Sequence, residues 1–263
     1  MLVDTHTHVN FKPFHEDGVS VMEEVRKRGM QIIVPGSQID TSRRAVAYAE
    51  QYPETVFACI GVHPIHIKKY PFDAPAYGQL AEHEAVVGIG EIGIDAFHLP
   101  KDAKQRRAML AHQEEQFRAQ VDFALARELP LMLHCRNAYD EELAILRTYD
   151  RTFRGQIHSF EGTIAQVDAY LALGFNVGFT GTITYPENTS IREVVEHVPL
   201  ERVHIETDAP YLAPVPHRRE KNFPWYVEHI ARTIAEVKES TYEEVGRATA
   251  ENARRVFNLP QPQ

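Results

Sequence analysis

The chain has 263 residues, of which 43% are hydrophobic and 25% are charged. These fractions lie near the averages for soluble globular proteins and exclude a disordered or fibrous chain. A total of 28 Lys and Arg against 37 Asp and Glu gives a formal net charge of -9. This sign excludes a protein that holds duplex DNA on a broad basic face, so any polynucleotide must be bound locally.

The first residues, MLVDTHTHV, have neither the basic nor the apolar segment of a secretory signal. No run approaches the ~18 apolar residues of a membrane span. Cys59 and Cys135 are the only cysteines, too few for a disulfide framework or a thiolate-rich metal site. We therefore expect a cytoplasmic protein with no membrane association and no obligate protein partner, in which nitrogen and oxygen hold any metal.

Short apolar runs rich in β-branched residues recur along the chain, and segments with helical spacing of apolar residues lie between them. The strands are predicted at 2–7, 31–35, 56–61, 86–91, 130–134, 155–158, 175–179 and 203–206. The helices are predicted at 18–29, 41–51, 104–127, 138–149, 162–173, 190–197, 225–238 and 241–257. A further short helix is possible around 74–82, within a proline-rich loop. Ser240 and Thr241, followed by Glu243 and Glu244, form a start signal for the last helix.

Eight strands that alternate with helices favour a parallel sheet covered by helices and leave few topologies. The length falls within the range of an α/β barrel that forms one unit. We therefore predict an α/β fold, a single (β/α)₈ TIM barrel, with one domain over 1–263. The proline-bearing segment 209–224 is predicted as a long irregular loop, and such loops in compact domains are often functional.

Ionisable residues stand at the C-terminal ends of the predicted strands, where barrel enzymes place their active sites. His6 and His8 end the first strand and face the same side, because alternate strand residues do so. Glu91 ends a strand of apolar residues and glycines, where an unpaired carboxylate is expensive to bury, and is expected to meet a cation. His134 and His158 follow the fifth and sixth strands at the same height, which favours ligands over core histidines.

Asp208 follows the eighth strand and shares a face with Glu206. The predicted metal ligands are His6, His8, Glu91, His134, His158 and Asp208. Four imidazoles and two carboxylates suit two adjacent divalent ions such as Zn²⁺ or Mn²⁺. Such ions lower the pKa of bound water toward ~7, which indicates hydrolysis.

Roles for the individual residues follow as a hypothesis. Glu91 bridges two ions, one site is completed by His6, His8 and Asp208, and the other is held by His134 with His158. Asp208 also accepts the proton of the attacking water, and His63, after the third strand, binds or polarises the substrate. The chain has no G-x-S-x-G, P-loop or G-x-G-x-x-G pattern, so serine-nucleophile and nucleotide-cofactor chemistry are not indicated.

At these positions the sequence resembles the TatD-like family of metal-dependent hydrolases, within the amidohydrolase superfamily. The matching segments, in order, are LVDTHTHVN at 2–10, GVHP at 61–64, GEIGID at 90–95, PLMLHCRNAYD at 130–140, HSFEG at 158–162 and IETDAPYLAP at 205–214. The resemblance implies a (β/α)₈ barrel with two divalent ions, often Mg²⁺, and phosphodiester hydrolysis, often as a 3′-to-5′ exonuclease on DNA. It implies that the six predicted ligands hold metal and that His63 is an additional active-site histidine.

Two loops depart from the family pattern. Residues 96–100 replace a usually tyrosine-rich segment, and 217–224 read HRREKNFP where the family pattern resembles H-R-G-K-x-N-E-P. Arg136, Arg218 and Lys221 are predicted to bind a substrate phosphate, because cationic forks suit that anion. Surface ion pairs with the abundant acids are the alternative for these residues.

Three functions remain open at this point. The first is a phosphodiesterase or deoxyribonuclease that binds DNA or another phosphodiester at the barrel mouth. The second is an amidohydrolase or carboxylesterase that acts on a small neutral substrate, and the third is a metal-stabilised binding protein without turnover. The aromatic residues Tyr211, Phe223, Trp225 and Tyr226 either stack a base or pack their loop onto the barrel.

Overall fold

A computed structural model describes residues 1–261, so the last two residues of the predicted 1–263 domain lie outside the described part. Its eight parallel strands form one sheet in chain order. The strands are β1 (Val3–Asp4), β2 (Gln31–Pro35), β3 (Val56–Ile60), β4 (Val86–Asp95), β5 (Leu131–Arg136), β6 (Gly155–Ile157), β7 (Asn176–Phe179) and β8 (Val203–Ile205). The sheet closes because Thr5 N donates to Ile205 O at 3.1 Å and Asp208 N donates to His6 O at 2.9 Å. The predicted TIM barrel is confirmed.

Helices follow the strands on the outside of the barrel. They are α1 (Gly18–Lys27), α2 (Ile39–Gln51), α3 (Ala74–Ala81), α4 (Ala103–Leu125), α5 (Tyr139–Arg147), α6 (Ile164–Ala172), α7 (Thr189–His197), α8 (Val227–Val237) and α9 (Tyr242–Phe257). Short 3₁₀ helices lie at Lys12–Phe14, Gly181–Thr184, Leu200–Arg202 and Pro224–Tyr226. The predicted start signal of α9 is confirmed, since the Thr241 hydroxyl accepts a hydrogen bond from Glu244 N at 3.1 Å.

Most strands match their predicted bounds within two residues, and two, β1 and β4, differ by three or more. The regular ladder of β1 ends at Asp4 rather than at residue 7. Just beyond this end, the Asp4 carboxylate accepts the backbone N–H of His6 at 3.2 Å. Strand β4 continues to Asp95, four residues beyond its predicted end, and its register with β5 shifts between Ile89 and Ile92. Both differences lie at the C-terminal rim, where side chains take hydrogen bonds that a regular ladder would otherwise make.

The N-terminal end of the barrel is closed by α9. Its C-terminal turn brings Phe257 against buried strand residues that include Val3, Ile33, Phe57 and Met132. The clusters of buried histidines and carboxylates lie toward the opposite end, where the strands finish. Within residues 1–261, no helix is both long enough and apolar enough to cross a membrane.

Candidate metal centre

The six predicted ligands converge at the C-terminal ends of the strands. Their side chains are buried, with exposed fractions from 0% at His6 to 15% at His134. The strands come from distant parts of the sequence, but the barrel brings their ends to one rim. The convergence that the sequence predicted is therefore present in the fold.

Four of these residues place their ligand atoms at the corners of one polyhedron. His6 Nε2 lies 3.1 Å from His8 Nε2, 3.5 Å from Glu91 Oε2 and 3.7 Å from Asp208 Oδ1. His8 Nε2 lies 3.4 Å from Glu91 Oε2 and 3.3 Å from Asp208 Oδ1. A tetrahedral ion with bonds of ~2.1 Å separates its ligands by about 3.4 Å, so this spacing fits a divalent ion.

A second group of imidazoles surrounds the other oxygen of Glu91. Oε1 lies 2.7 Å from His134 Nδ1, 3.3 Å from His63 Nε2 and 3.9 Å from His158 Nε2. Possible ligand sets here are His63, Glu91 and His134, and also His6, Glu91 and His158. The structure thus places His63 beside His134, and stacks the His158 ring on that of His6 with their centroids 3.5 Å apart.

Several buried polar atoms of the rim have no hydrogen-bond partner within the described chain. They include Nδ1 of His6 and His8, Nε2 of His134 and Oδ1 of Asp208. Buried polar groups are normally satisfied, and each exception calls for an explanation. For Asp208 Oδ1 the tetrahedral grouping supplies one, because a carboxylate oxygen that meets no donor is suited to a cation. The donor set therefore fits divalent metal.

The rim carboxylates are ionised despite their burial. Burial acts to raise the pKa of Glu91, but His63 and His6 outweigh it and hold that pKa well below its ordinary value. For Asp208, burial again acts to raise the pKa, and His8, whose Nε2 lies 3.3 Å from Oδ1, leads the groups that lower it. Ionised carboxylates are the form in which these residues bind a cation.

The imidazoles respond in opposite directions according to their partners. Burial acts to lower the pKa of His8, but Asp208 and Glu91 raise it to about 9. Burial and the neighbouring His134 together lower the pKa of His63 to about 4. His63 is therefore neutral at pH 7. Its Nδ1 accepts the backbone N–H of Ile65 at 3.2 Å, so its Nε2 carries the ring proton and faces Glu91. His8 must release a proton before it can bind a metal.

Asp95 is a buried carboxylate at the rim to which the sequence interpretation assigned no role. Its Oδ2 lies 3.5 Å from His134 Nε2 and 2.7 Å from His98 Nδ1, and Oδ1 accepts the backbone N–H of Phe97 and His98, each at 2.9 Å. Burial acts to lower the pKa of His134, but Asp95 and Glu91 raise it to about 10. The signal in the sequence was the strand period, because Asp95 follows Glu91 by four residues and so shares its face.

The three predicted phosphate-binding cations take different positions. Arg218 forms an ion pair with Glu187 and lies over the Tyr185 ring. Lys221 Nζ lies 2.8 Å from Asp17 Oδ2 and donates to Pro13 O. The side chain of Arg136 is exposed at the end of β5 and lies over the Phe97 ring at 3.9 Å.

In the chain from 1 to 261, the Arg136 guanidinium makes no hydrogen bond or ion pair. It is therefore the one of the three predicted cations that has its donors free. Arg218 and Lys221 have the ion pairs that the alternative interpretation expected.

The four aromatic residues Tyr211, Phe223, Trp225 and Tyr226 also divide into packed and open side chains. Phe223 and Trp225 stack on each other at 4.7 Å, and Tyr226 stacks on His217 at 4.0 Å. Tyr211 is half exposed, and its backbone N–H donates to Asp208 O at 2.9 Å. Three of the four rings therefore pack within the loop, and Tyr211 stands open beside the rim.

Comparisons with known proteins identify the family of the chain. The family model described as TatD related DNase matches residues 3–258. The chain is 36% identical to an uncharacterized metal-dependent hydrolase, YabD, of Bacillus subtilis, over 98% of this chain and 100% of that protein.

It is 32% identical to the 3′-5′ ssDNA/RNA exonuclease TatD of Pectobacterium carotovorum, over 98% and 100% respectively. The crystal structure of the TatD homologue YjjV from Escherichia coli matches with a TM-score of 0.87 at 30% identity, covering 98% of each chain.

Proposed function

Because the chain belongs to the TatD related DNase family and is a metal-dependent hydrolase, we propose that it cleaves phosphodiester bonds with two divalent ions at the rim. Single-stranded DNA or RNA is the substrate class that we propose, by analogy with the exonuclease activity for which the Pectobacterium relative is named. The net charge of -9 favours local contacts at the barrel mouth over a broad nucleic-acid surface.

One observation carries the two-ion proposal: the two oxygens of Glu91 face different sets of imidazoles. Oε2 lies 3.5 and 3.4 Å from His6 and His8, and Oε1 lies 2.7 Å from His134. A carboxylate that offers one oxygen to each of two nitrogen sets has the geometry of a bridging ligand. We propose that His6, His8 and Asp208 complete one site and that His134 contributes to the other, with His158 and His63 as its further candidates.

The proposed ions, Zn²⁺, Mn²⁺ or Mg²⁺, would act as Lewis acids on the scissile group and lower the pKa of water toward ~7. The protein supplies the proton acceptor, for which we propose Asp208. Its Oδ1 makes no hydrogen bond in the described chain, and its side chain is 13% exposed, more open than Glu91 at 4%. A carboxylate at the edge of the cluster can take a proton and pass it to solvent.

His63 has a different role in this proposal. Its pKa of about 4 leaves the imidazole neutral at pH 7, and because Nδ1 accepts the Ile65 backbone N–H, its Nε2–H can donate to a substrate oxygen. His66 lies close to it, with ring centroids 6.1 Å apart, and exposed Ile65 marks the solvent side. We therefore keep His63 as the residue that polarises the substrate.

Arg136 is the proposed anchor for a substrate phosphate. Its guanidinium carries five N–H donors in a planar fork that matches two phosphate oxygens. Stacking on Phe97 orders the group without using those donors. We propose weaker contributions from Arg218 and Lys221, since each must leave a carboxylate partner to meet the substrate.

The same two ion pairs favour the alternative, an amidohydrolase or carboxylesterase on a small neutral substrate. With Glu187 and Asp17 neutralising two of the three cations, the mouth is less positive than the sequence suggested. The two candidates differ in the charge of the substrate, which an assay separates directly.

The deciding experiment compares substrates under each metal. Metal-free protein is supplied in turn with Zn²⁺, Mn²⁺ and Mg²⁺ and tested on bis-p-nitrophenyl phosphate, short single-stranded DNA and RNA, and a panel of p-nitrophenyl esters. We expect metal-dependent cleavage of the phosphodiesters. Turnover of esters with none of the phosphodiesters would overturn the proposal in favour of the alternative.

A single strand labelled at either end then tests the mode of cleavage. The proposal predicts that a 5′-labelled strand shortens in single-nucleotide steps, while a 3′-labelled strand releases a labelled mononucleotide at once. Internal fragments of mixed length at early times would contradict exonuclease action and leave phosphodiester hydrolysis intact.

A further inference from the structure

A fully buried carboxylate, Glu206, supports His158 from behind. Its Oε1 accepts His158 Nδ1–H at 2.9 Å and the backbone N–H of Ser159 at 2.5 Å. Its Oε2 accepts Gln156 Nε2–H at 2.7 Å. Because Oε1 binds Nδ1, the opposite nitrogen of His158, Nε2, points to Glu91 at 3.9 Å.

The hydrogen bonds continue from Glu206 through the barrel interior, away from the rim. Gln156 Oε1 lies 2.5 Å from His204 Nδ1, and His204 Nε2 lies 3.0 Å from Asn176 Nδ2. Asn176 Oδ1 accepts Arg202 Nε–H at 3.0 Å. The side chains between Glu206 and Arg202 are at most 2% exposed, so water does not complete these bonds.

These bonds have one consistent direction. The Arg202 guanidinium can only donate, and a carboxylate can only accept. The amides of Asn176 and Gln156 each accept on the Arg202 side and donate on the Glu206 side, which requires a neutral His204 with its proton on Nδ1. Every donor in the series therefore points toward Glu206, and the whole series specifies an acceptor at that position.

The fold also reserves space for this carboxylate. Gly178 of β7 faces Glu206, and a Cβ added there would lie 2.6 Å from Oε2. A side chain at residue 178 would displace the carboxylate from its two acceptor positions. Position 178 therefore requires glycine because Glu206 approaches its backbone closely.

We propose that Glu206 is a positioning residue that fixes the His158 ring with Nδ1–H bound and Nε2 free for metal, and that Gln156, His204, Asn176 and Arg202 form the buried relay that orients it. Second carboxylates of this kind fix the tautomer of metal-binding histidines and raise their basicity. The inference rests on the metal-binding part of the proposed function, and it is independent of which bond the enzyme cleaves.

The sharpest test replaces the acceptor with an isosteric amide. In Glu206→Gln the new amide must present NH₂ either to His158 or to Gln156. The first choice forces the His158 proton onto Nε2, the atom needed for metal. The second choice makes Gln156 turn its carbonyl toward residue 206 and its NH₂ toward His204, which must then move its proton to Nε2. Asn176 in turn must accept from His204 and present its NH₂ to Arg202. The first choice also sets the new NH₂ against the Ser159 backbone N–H, and the second sets the Asn176 NH₂ against Arg202, so the variant cannot relax without disturbing the site.

The matched control is Glu142→Gln. Glu142 is also fully buried in this barrel, accepts Ile94 N–H at 3.0 Å and Tyr170 O–H at 2.9 Å, and hydrogen-bonds to no proposed ligand. It undergoes the same Glu-to-Gln replacement at the same depth, and its carboxyl, with a pKa raised to about 8, is largely uncharged at pH 7 whereas Glu206 is ionised. Any loss of metal affinity that arises only from a disturbed barrel appears in both variants.

Metal-free wild type and the two variants are titrated with Co²⁺, and the visible absorption of the bound ion reports occupancy. We expect Glu206→Gln to weaken at least one ion ~10–100-fold, as is typical when the partner of a metal-binding histidine is lost. Glu142→Gln should bind both ions as wild type does. Equal affinities for Glu206→Gln and wild type would overturn the inference, as would equal losses in the two variants.

A second variant keeps the inference testable if Glu206→Gln does not fold. Gln156→Met has a similar length and volume but no amide, so the carboxylate loses one donor and keeps His158. We expect a smaller loss of Co²⁺ affinity, about 3–10-fold, the size of one ordinary net hydrogen-bond contribution. Unchanged affinity would contradict the relay.

Proton NMR of the Zn²⁺-loaded protein provides a readout that does not depend on activity. The His158 Nδ1–H, held by a buried carboxylate, should give a downfield imidazole resonance in wild type and in Glu142→Gln. We expect this resonance to move or vanish in Glu206→Gln, and its persistence unchanged would count against the inference. If the wild type binds metal but cleaves no phosphodiester, the proposed function fails while this test of Glu206 still stands.

Discussion

The two ends of the barrel interior have opposite chemistry. At the N-terminal end, Phe257 of α9 packs in an apolar cluster with Val3, Ile33 and Met132, and the His204 ring lies 5.9 Å from it. At the C-terminal end, imidazoles and carboxylates lie buried at distances of 2.7–3.9 Å. Clustered charged groups are costly to bury, whereas apolar packing stabilises. The comparison indicates that the apolar end stabilises the fold and that the rim is specialised for binding cations.

Glu91→Gln should give the largest effect, because it acts on both proposed ions. The amide keeps the shape of the side chain but cannot offer two anionic oxygens to the nitrogen sets around it. We expect kcat/KM for a phosphodiester to fall ~10³-fold or more, with a reduced number of bound ions. Kinetics and metal analysis of the purified variant check this, and near-wild-type activity would remove Glu91 as the bridging ligand.

Phe257→Ala should produce the converse result at the other end. The ring is 1% exposed, and large-to-small changes of a buried Phe cost about 3–5 kcal/mol of unfolding free energy. Denaturant unfolding should show this loss, while Co²⁺ affinity at native temperatures stays unchanged. A loss of metal affinity as large as that of stability would show that the two ends are not independent.

Glu142 is a buried carboxyl that hydrogen-bonds to none of the proposed metal ligands, and its pKa shifts in the opposite direction from that of Glu91. Burial raises its pKa to about 8, while Glu91 is held well below its ordinary value by its imidazoles. The pKa of Glu142 in the folded state exceeds its unfolded value near 4.5, so the folded state binds more protons between these two values. The folded state therefore loses stability as the pH rises from about 4.5 to 8.

Glu142→Gln should therefore flatten the stability profile of the metal-free protein across this window, by on the order of 3 kcal/mol. Chemical unfolding at pH 5, 6.5 and 8 measures the slope for each protein. A wild-type slope retained in the variant would mean that Glu142 does not carry this pH dependence.

Arg136→Ala should have the smallest of these effects and should depend on the substrate. Loss of a charge-assisted contact of ~1.5–3 kcal/mol raises KM for a phosphodiester roughly 10-fold or more and leaves KM for a neutral ester unchanged. Arg218→Ala serves as the comparison. Since Arg218 is paired with Glu187, we expect a smaller but still phosphodiester-specific rise. Equal changes in KM for charged and neutral substrates would exclude both residues as phosphate ligands.

The rim was predictable from the sequence because strand geometry dictates it. His6 and His8 share a face through the two-residue period, and parallel strands of a barrel end together. The pairing of His134 with His63 was not predictable, because it depends on which ring nitrogen turns toward Glu91.

The loop residues were less predictable for a similar reason. No regular period fixes Arg218 or Lys221, and the positions of Glu187 and Asp17 follow from the fold rather than from local sequence. The role of Glu206 was partly predictable, more than those of the loop residues and less than those of the rim ligands. Its shared face with Asp208 was visible in the sequence, but the relay through Gln156 and His204 joins three strands and requires coordinates.

Anomalous diffraction at the zinc edge from crystals of Zn²⁺-loaded protein tests the central claim most directly. The account predicts two peaks per chain, one within ~2.0–2.2 Å of His6 Nε2, His8 Nε2 and Asp208, and one on the other oxygen of Glu91 beside His134. A single peak, or peaks with no rim ligand in bonding distance, would contradict the account.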